Sequence, residues 1–454
     1  MGNSQSQSHT KTEELKQFHR QILGVYETKL HSKKELAAED LEQLFPNRVE
    51  FCRRFAAWMR KLSYKGTANR ESFIFACEVM LLDSDMILKE EYKNHSFNFL
   101  ELFMHMTMAK YPNEIETLSK ADVLAFIKTL VNLFLDDTQE SSLAVDVLDK
   151  MTLKLFTVSE EVHLESFIRL FKDNLTTSIT FGKRQLEHLL FAEPLPQTPR
   201  VKEGYVLNNQ ILMLLGLTNS KIFNRDRIDL LYSSRSMGNS FHRLTGALKG
   251  YDAPVIVLIK NQFDLIGAPD CTSIFGFYAN CLWADSLSYF GNADTYLFKI
   301  TPDFKTFYSF NGKGGKDFLY LNTKQISNSV YRSGLGVGGG VKSKARIWLD
   351  YELMTRSYAE DTDLTFERGV LTQSPYDYLR IEQVEIWGFP SKDTQTKQEM
   401  FKQQENEAII SSRKIDKKEL FNQPGNEFLM ESKFKFKEQL HIDFEHEKGK
   451  LDKQ

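Results

Sequence analysis

At residues 192–200 the chain reads AEPLPQTPR, and the prolines Pro194, Pro196 and Pro199 divide two different hydrophobic patterns. Proline has no backbone N–H and clashes with the preceding turn, so no helix continues through this stretch, which predicts an extended connection. Before it, stretches such as VEFCRRFAAWMRKL and KADVLAFIKTLVNLFL repeat apolar residues at three- and four-residue spacing, which predicts amphipathic helices. Ser119 ahead of Lys-Ala-Asp, with Asp122 at the third helical position, predicts one helix start, and Ser159 ahead of Glu-Glu another. After the prolines come short runs rich in aliphatic and aromatic residues, separated by turn residues: IDLLYSS, APVIVLIKN, TSIFGFYAN, TYLFKIT, KTFYSF, DFLYLNT, ARIWLDY and LRIEQVEIWGF. One helical insertion, SFHRLTGALKG, and no repeated βαβ alternation predict antiparallel sheets. APVIVLIK is apolar on both faces and is expected to be central, with TSIFGFYAN and YLFKIT beside it. The fold class expected is α+β, with an acylated, flexible N-terminus (1–10), an all-α region (11–192), a connecting segment (193–224), a β-rich domain (225–390) and a polar, helix-containing tail (391–454).

Acidic residues number 61 and basic residues 58, a formal charge of −3, so nothing draws the whole chain to nucleic acid or to an anionic membrane. No C-x-x-C pair, secretory h-region or long apolar run is present, which predicts a reducing, cytoplasmic setting. Phenylalanine is abundant, at 35 residues, as dense aromatic packing or a coding bias would make it. The opening MGNSQS fits the M-G-x-x-x-[ST] pattern, with Gly2 as the residue to be myristoylated. One myristoyl chain anchors only weakly, and no cysteine or dense basic cluster lies close by, so a second contact from a protein partner is expected.

The glycine run in YRSGLGVGGGVKSKARIWLD can be laid over G-x-G-x-x-G as Gly334, Gly336 and Gly339. That fingerprint requires a helix to begin on its last glycine, because the helix N-terminus holds the pyrophosphate. The glycines lead instead into ARIWLD, which alternates like a half-buried strand. Gly334, Gly336, Gly338, Gly339 and Gly340 are therefore read as a structural loop, and no cofactor is expected. A nucleophile–base pair is equally hard to assemble: His242 is the one histidine of the β-rich domain, and Cys271 and Cys281 read as ordinary thiols. No His/Cys set has zinc spacing. The best calcium-loop candidate, DSDMILKEEYKN at residues 83–94, has Ile87, Leu88 and Asn94 where an oxygen ligand, a glycine and a bidentate glutamate are needed, so no calcium is expected there.

The order LLYSSR, a helix ending in glycine, PVIVLIK, FGFYAN, Trp283 followed by FGNADTYLFKI, the glycine run leading into ARIWLD, and finally LRIEQVEIWGF resembles the TLDc domain over roughly residues 225–390. The whole layout is similar to the myristoylated, lysosome-associated, mTOR-linked TLDc subfamily, in which the helical region is EF-hand-like. The resemblance implies an antiparallel two-sheet sandwich with flanking helices, no catalysis, docking onto the peripheral sector of the vacuolar-type proton pump, and resistance to oxidative stress. It implies a place on lysosomal or other endomembranes. A structural role in a ciliary or cytoskeletal array, and a cysteine-dependent peroxide-defence enzyme, are the alternatives. In the tail, Phe434, Phe436, Leu440 and Phe444 are candidate partner anchors, either folded back on the domain or docked in a partner groove.

Overall fold

The structure, a computed structural model, describes residues 2–421 apart from 83–97, 112–113, 192–198, 203, 224, 226, 311–316, 325–331, 341–342 and 354. The calcium-loop candidate at 83–94 and the tail anchors Phe434, Phe436, Leu440 and Phe444 lie outside the described residues. Met1–Lys392 forms one compact unit and Asp393–Gln454 a second, in which the described part is the helix Thr394–Phe421.

The helical region is built from Gly2–Lys29, Val49–Leu62, Arg70–Leu81, Phe99–Met108, Lys120–Phe134, Ser142–Leu153, Leu164–Asn174 and Ser178–Phe191, with shorter turns between. Helix Val49–Leu62 shows why the pattern folds this way: Phe51, Phe55, Trp58, Met59 and Leu62 share the buried face, while Arg53 and Arg60 remain exposed. Aromatic rings then carry the core from helix to helix, Phe51 against Phe103 at 6.2 Å, Phe103 against Phe126 at 5.6 Å and Phe126 against Phe167 at 5.1 Å. Ser119 caps helix Lys120–Phe134, its side chain and backbone exchanging hydrogen bonds with Asp122.

Ser159 behaves differently from the expectation. It starts no helix: Glu161–His163 forms a strand, β2, that pairs antiparallel with β1 (Thr117–Ser119), and the next helix begins at Leu164. The first helix also takes in Gly2 onward, although apolar periodicity begins only near Lys11.

The β-rich part is a sandwich. One sheet has six strands in the order β3 (Asp229–Ser233), β12 (Ile381–Gly388), β4 (Val255–Leu265), β5 (Ala268–Ala279), β6 (Tyr296–Thr301), β7 (Lys305–Phe307), all antiparallel. The other has four, β11 (Tyr358–Ala359), β10 (Ile347–Asp350), β9 (Gly334–Val337) and β8 (Leu319–Asn322). Alternation along β4 sorts its side chains. Val255, Val257 and Ile259 face the four-stranded sheet in one core, and Ile256 and Leu258 face the helices in another.

That second core corrects the domain boundary read from the proline run. Ile256, Leu258, Tyr296, Phe298 and Trp387 belong to the same buried cluster as the helical region, and helix Asn209–Thr218 is buried along its length within it. Its run ILMLLGL is apolar on every side, which suits a helix enclosed in a core better than a connecting segment. The β6–β7 turn is also tied to the helices, since Asp303 accepts from Lys154 and from Lys299, the latter at 2.9 Å, and Thr306 N–H donates to Asn174.

Candidate functional site

Of the five glycines read as a loop, only Gly338, Gly339 and Gly340 lie outside a strand. Gly334 and Gly336 lie in β9, an interior strand of the smaller sheet, and their missing side chains make room for the Trp348 indole on β10. A Cβ on Gly334 would clash with that ring and lie 2.7 Å from the Leu349 carbonyl oxygen; one on Gly336 would lie 3.2 Å from the ring. Trp348 stacks on Tyr320 at 6.0 Å, beside Tyr289 and Tyr358, and Arg332 covers it at 4.6 Å from the ring. This is why β10 is buried on both faces although its sequence alternates. The chain then turns through Gly338 (φ +70°) and Gly339 (φ +88°), a left-handed conformation that glycine adopts without steric penalty. At Gly340 a Cβ would meet Asp317 Oδ2 at 2.9 Å.

Asp363 closes this turn. Its carboxylate accepts from the N–H groups of Gly339 at 3.1 Å and Thr365 at 2.8 Å, while burial pushes its pKa above the usual carboxylate range. Arg346 packs alongside, wholly buried over the Phe307 ring, and donates to the Gly369 carbonyl. The N–H of Gly339 is thus spent on the protein's own carboxylate, and the chain continues as a strand rather than a helix.

A second polar centre lies on the large sheet, and sequence reasoning missed it. Glu385 on β12 is completely buried, and its two oxygens accept five N–H donors: the backbone of Tyr205 (2.8 Å), Val206 (3.0 Å) and Leu207 (3.0 Å), the Gln383 amide (2.9 Å) and the Trp387 indole (2.9 Å). It ties the segment leading into helix Asn209–Thr218 to β12, an interior strand of the large sheet, 178 residues further along the chain for Leu207. The signal available in the sequence was a lone glutamate on the apolar EIWGF strand, which no surface position requires.

The thiols do not form a pair. Cys271 lies near the β4–β5 turn and Cys281 just past the far end of β5, and both are free. At roughly 3.3 Å per strand residue they are more than about 25 Å apart, far beyond disulfide reach. Burial, with Asp252 adding to it, pushes the Cys281 thiol up to about 12, the opposite of an activated nucleophile. His242 sits exposed on helix Phe241–Leu248.

Two helix–loop–helix units meet at the β1–β2 pair, with Leu118 opposite Val162. Counting the first loop so that Asp122 is its twelfth residue puts Tyr111 first, Ile115 fifth and Glu116 at the glycine position. The matching count through Val162 gives Leu155, Ser159, Glu160 and Ser166. A calcium loop needs carboxylates at the ends and glycine at the bend, so neither set fits the ion, and Asp122 is already engaged by its own helix cap. Among the described residues no group of three His, Cys, Asp or Glu could hold a metal, and no helix is long and apolar enough to cross a membrane.

Comparison with known proteins agrees with this architecture. The TLDc domain family matches residues 201–390, a stretch that includes the buried helix Asn209–Thr218 and the Glu385-bound segment before it. Nuclear receptor coactivator 7 of Gallus gallus is 29% identical over 160 residues, which cover 35% of this chain and 15% of that protein. The Homo sapiens protein of the same name is 28% identical over 160 residues, 14% of its length. Oxidation resistance protein 1 of Bos taurus is 28% identical over 161 residues, 16% of its length. This chain therefore spans only about a sixth of the curated relatives it matches. Within residues 201–390 the sandwich, its glycine strand and its closing EIWGF strand are thus similar to the TLDc domain family.

Proposed function

We propose that this chain is a non-catalytic TLDc protein that binds and regulates the vacuolar-type proton pump at a membrane, in the service of oxidative-stress resistance and mTOR signalling. The observation that carries the non-catalytic part is how the buried charges are used. Glu385 and Asp363 are engaged by backbone N–H groups, and Cys281 is held protonated by burial. Such groups hold a scaffold together, and what the domain presents outward is surface for another protein. The oxidative-stress part is supported by the name of one set of relatives, Oxidation resistance protein 1. The pump and mTOR parts rest on the resemblance of the whole layout to the lysosome-associated subfamily.

Gly2 supplies the membrane contact in this reading. Gly2→Ala is expected to abolish myristoylation and move only part of the protein from lysosomal or other endomembranes to the soluble fraction, because one acyl chain contributes weak, reversible binding and the pump supplies the rest. Fractionation, with mass spectrometry of the N-terminus, reads this; complete membrane retention with no myristate attached would contradict it.

The tail carries a second expectation. Truncation after Gly425 removes Phe434, Phe436, Leu440 and Phe444, and is expected to leave the melting temperature of the remainder unchanged while weakening co-purification with the pump. A large drop in melting temperature or loss of solubility would show that the tail belongs to the domain's own core. Recovery of the tagged full-length chain from detergent-solubilised membranes with the pump's peripheral subunits tests the proposal as a whole. Recovery with axonemal or microtubule fractions in their place would favour the structural role.

A further inference from the structure

β4 and β5 are 11 and 12 residues long, against 8 in β12 and 6 in β6 beside them. Pairing with β12 begins at Asn261, and pairing with β6 ends at Ile274, so the hairpin projects beyond both neighbours. Its base is fixed. Asn261, Phe263 and Ser273 are buried, and Thr372 receives a hydrogen bond from the Asn261 amide at 3.2 Å and shares one with the Ser273 hydroxyl at 2.7 Å.

Beyond that base every residue from 264 to 270 is exposed, and five in succession, Leu265, Ile266, Gly267, Ala268 and Pro269, are nonpolar. Ile266 is fully exposed, at 108%. Turn chemistry does not ask for it. Leu265 pairs with Ala268 across a two-residue loop in which Gly267 supplies the positive φ of 81°, and the position before it takes Asn, Asp or another polar residue without strain. Single exposed apolar residues are ordinary, whereas a run of them on a rigid projection marks an interaction site or an aggregation hazard. Carboxylates surround the tip. Asp264 is paired with Arg380 at 3.1 Å, Glu382 with Lys260 at 2.9 Å, and Asp270 receives the neutral Gln262 amide at 2.9 Å, which leaves these five charged groups with a net negative charge. Beside it a recess of about 460 Å³ lies between the hairpin and the start of β12.

We propose that the β4–β5 hairpin is an anchor that inserts Leu265 and Ile266 into an apolar pocket, rimmed by lysine or arginine, on the protein partner. The acidic collar selects a basic protein surface over an anionic lipid headgroup region, where the same carboxylates would be repelled. This inference rests on the pump-docking reading and adds the surface through which docking occurs.

The test measures binding of the full-length chain to the purified peripheral sector of the pump, for wild type, Ile266→Ser and Ile266→Leu. Because Ile266 is fully exposed, all three should fold with equal melting temperatures. Loss of one buried aliphatic side chain at an interface should weaken binding by roughly ten- to a hundred-fold for Ile266→Ser, with Ile266→Leu close to wild type. Equal binding by wild type and Ile266→Ser would overturn the hairpin anchor and leave pump docking standing. No binding by wild type would overturn pump docking and the anchor with it. Ile266-dependent binding of wild type to neutral phosphatidylcholine vesicles would overturn the protein pocket as the occupant.

Discussion

Replacing Glu385 by alanine is expected to destabilise the compact unit by about 3–5 kcal/mol, a fall in Tm on the order of 10 °C. Five donors would lose their acceptor at once, three of them backbone N–H groups of residues 205–207. An unsatisfied buried donor costs about 1–3 kcal/mol, and some entry of water offsets part of the sum. Glu385→Gln retains one acceptor oxygen but turns an NH₂ toward donors, so its loss should be smaller than that of alanine and still measurable. Thermal and urea melts of the full-length chain check both. Release of the segment before helix Asn209–Thr218 should also appear as faster amide exchange at Tyr205, Val206 and Leu207. Unchanged stability in Glu385→Ala would mean that this carboxylate is not what holds the helical side to the sheet.

Gly334→Ala is expected to lose about 3 kcal/mol, and Gly336→Ala only about 1, the two ends of the usual range for overpacking. The difference is geometric. The new Cβ at Gly334 meets both the Trp348 ring and the Leu349 carbonyl oxygen, and a carbonyl in a paired strand cannot move aside. At Gly336 the neighbour is the ring alone, at 3.2 Å, and a few tenths of an ångström of movement suffices. Neither variant nor wild type should gain thermal stability from NADH or ATP, since the run is a strand and a turn that bind the protein's own Asp363. A saturable upward shift in Tm with either nucleotide would reverse that reading, and equal losses for the two variants would remove Trp348 as the cause.

The fold class was legible because periodicity reports burial directly. PVIVLI is apolar at every position, and β4 is indeed an interior strand with a core on each face. ARIWLD reads as a strand for the same reason. What the pattern misled on was the second buried face of β10: an alternating strand predicts water on one side, and here the aromatic layer of Tyr320, Trp348 and Tyr358 lies there instead. GLGV failed as a strand signal because glycine has low strand propensity, and its reason for being in β9 is a tryptophan fourteen residues away from Gly334 in sequence. The proline run suggested two separate domains, yet the far face of the large sheet and the helices share one core, a fact that depends on which face of each strand meets which helix. Glu385 is the clearest case. Its identity stood out in EIWGF, but three of its five partners are backbone groups of residues 205–207, and backbone groups leave no mark in a sequence. The paired loops at β1 and β2 were missed because their residues carry none of the calcium-ligand pattern by which such loops are found.

Whether the chain works by binding the proton pump and not by catalysis is tested most directly by the equilibrium binding of purified full-length protein to the isolated peripheral sector. Light scattering or surface immobilisation would read it, with pump ATPase activity followed in the same titration. Saturable binding of one chain per sector is expected, with a concurrent change in ATPase activity, undiminished in Cys271→Ser and Cys281→Ser. Absence of binding, together with peroxide consumption that disappears in either cysteine variant, would contradict it.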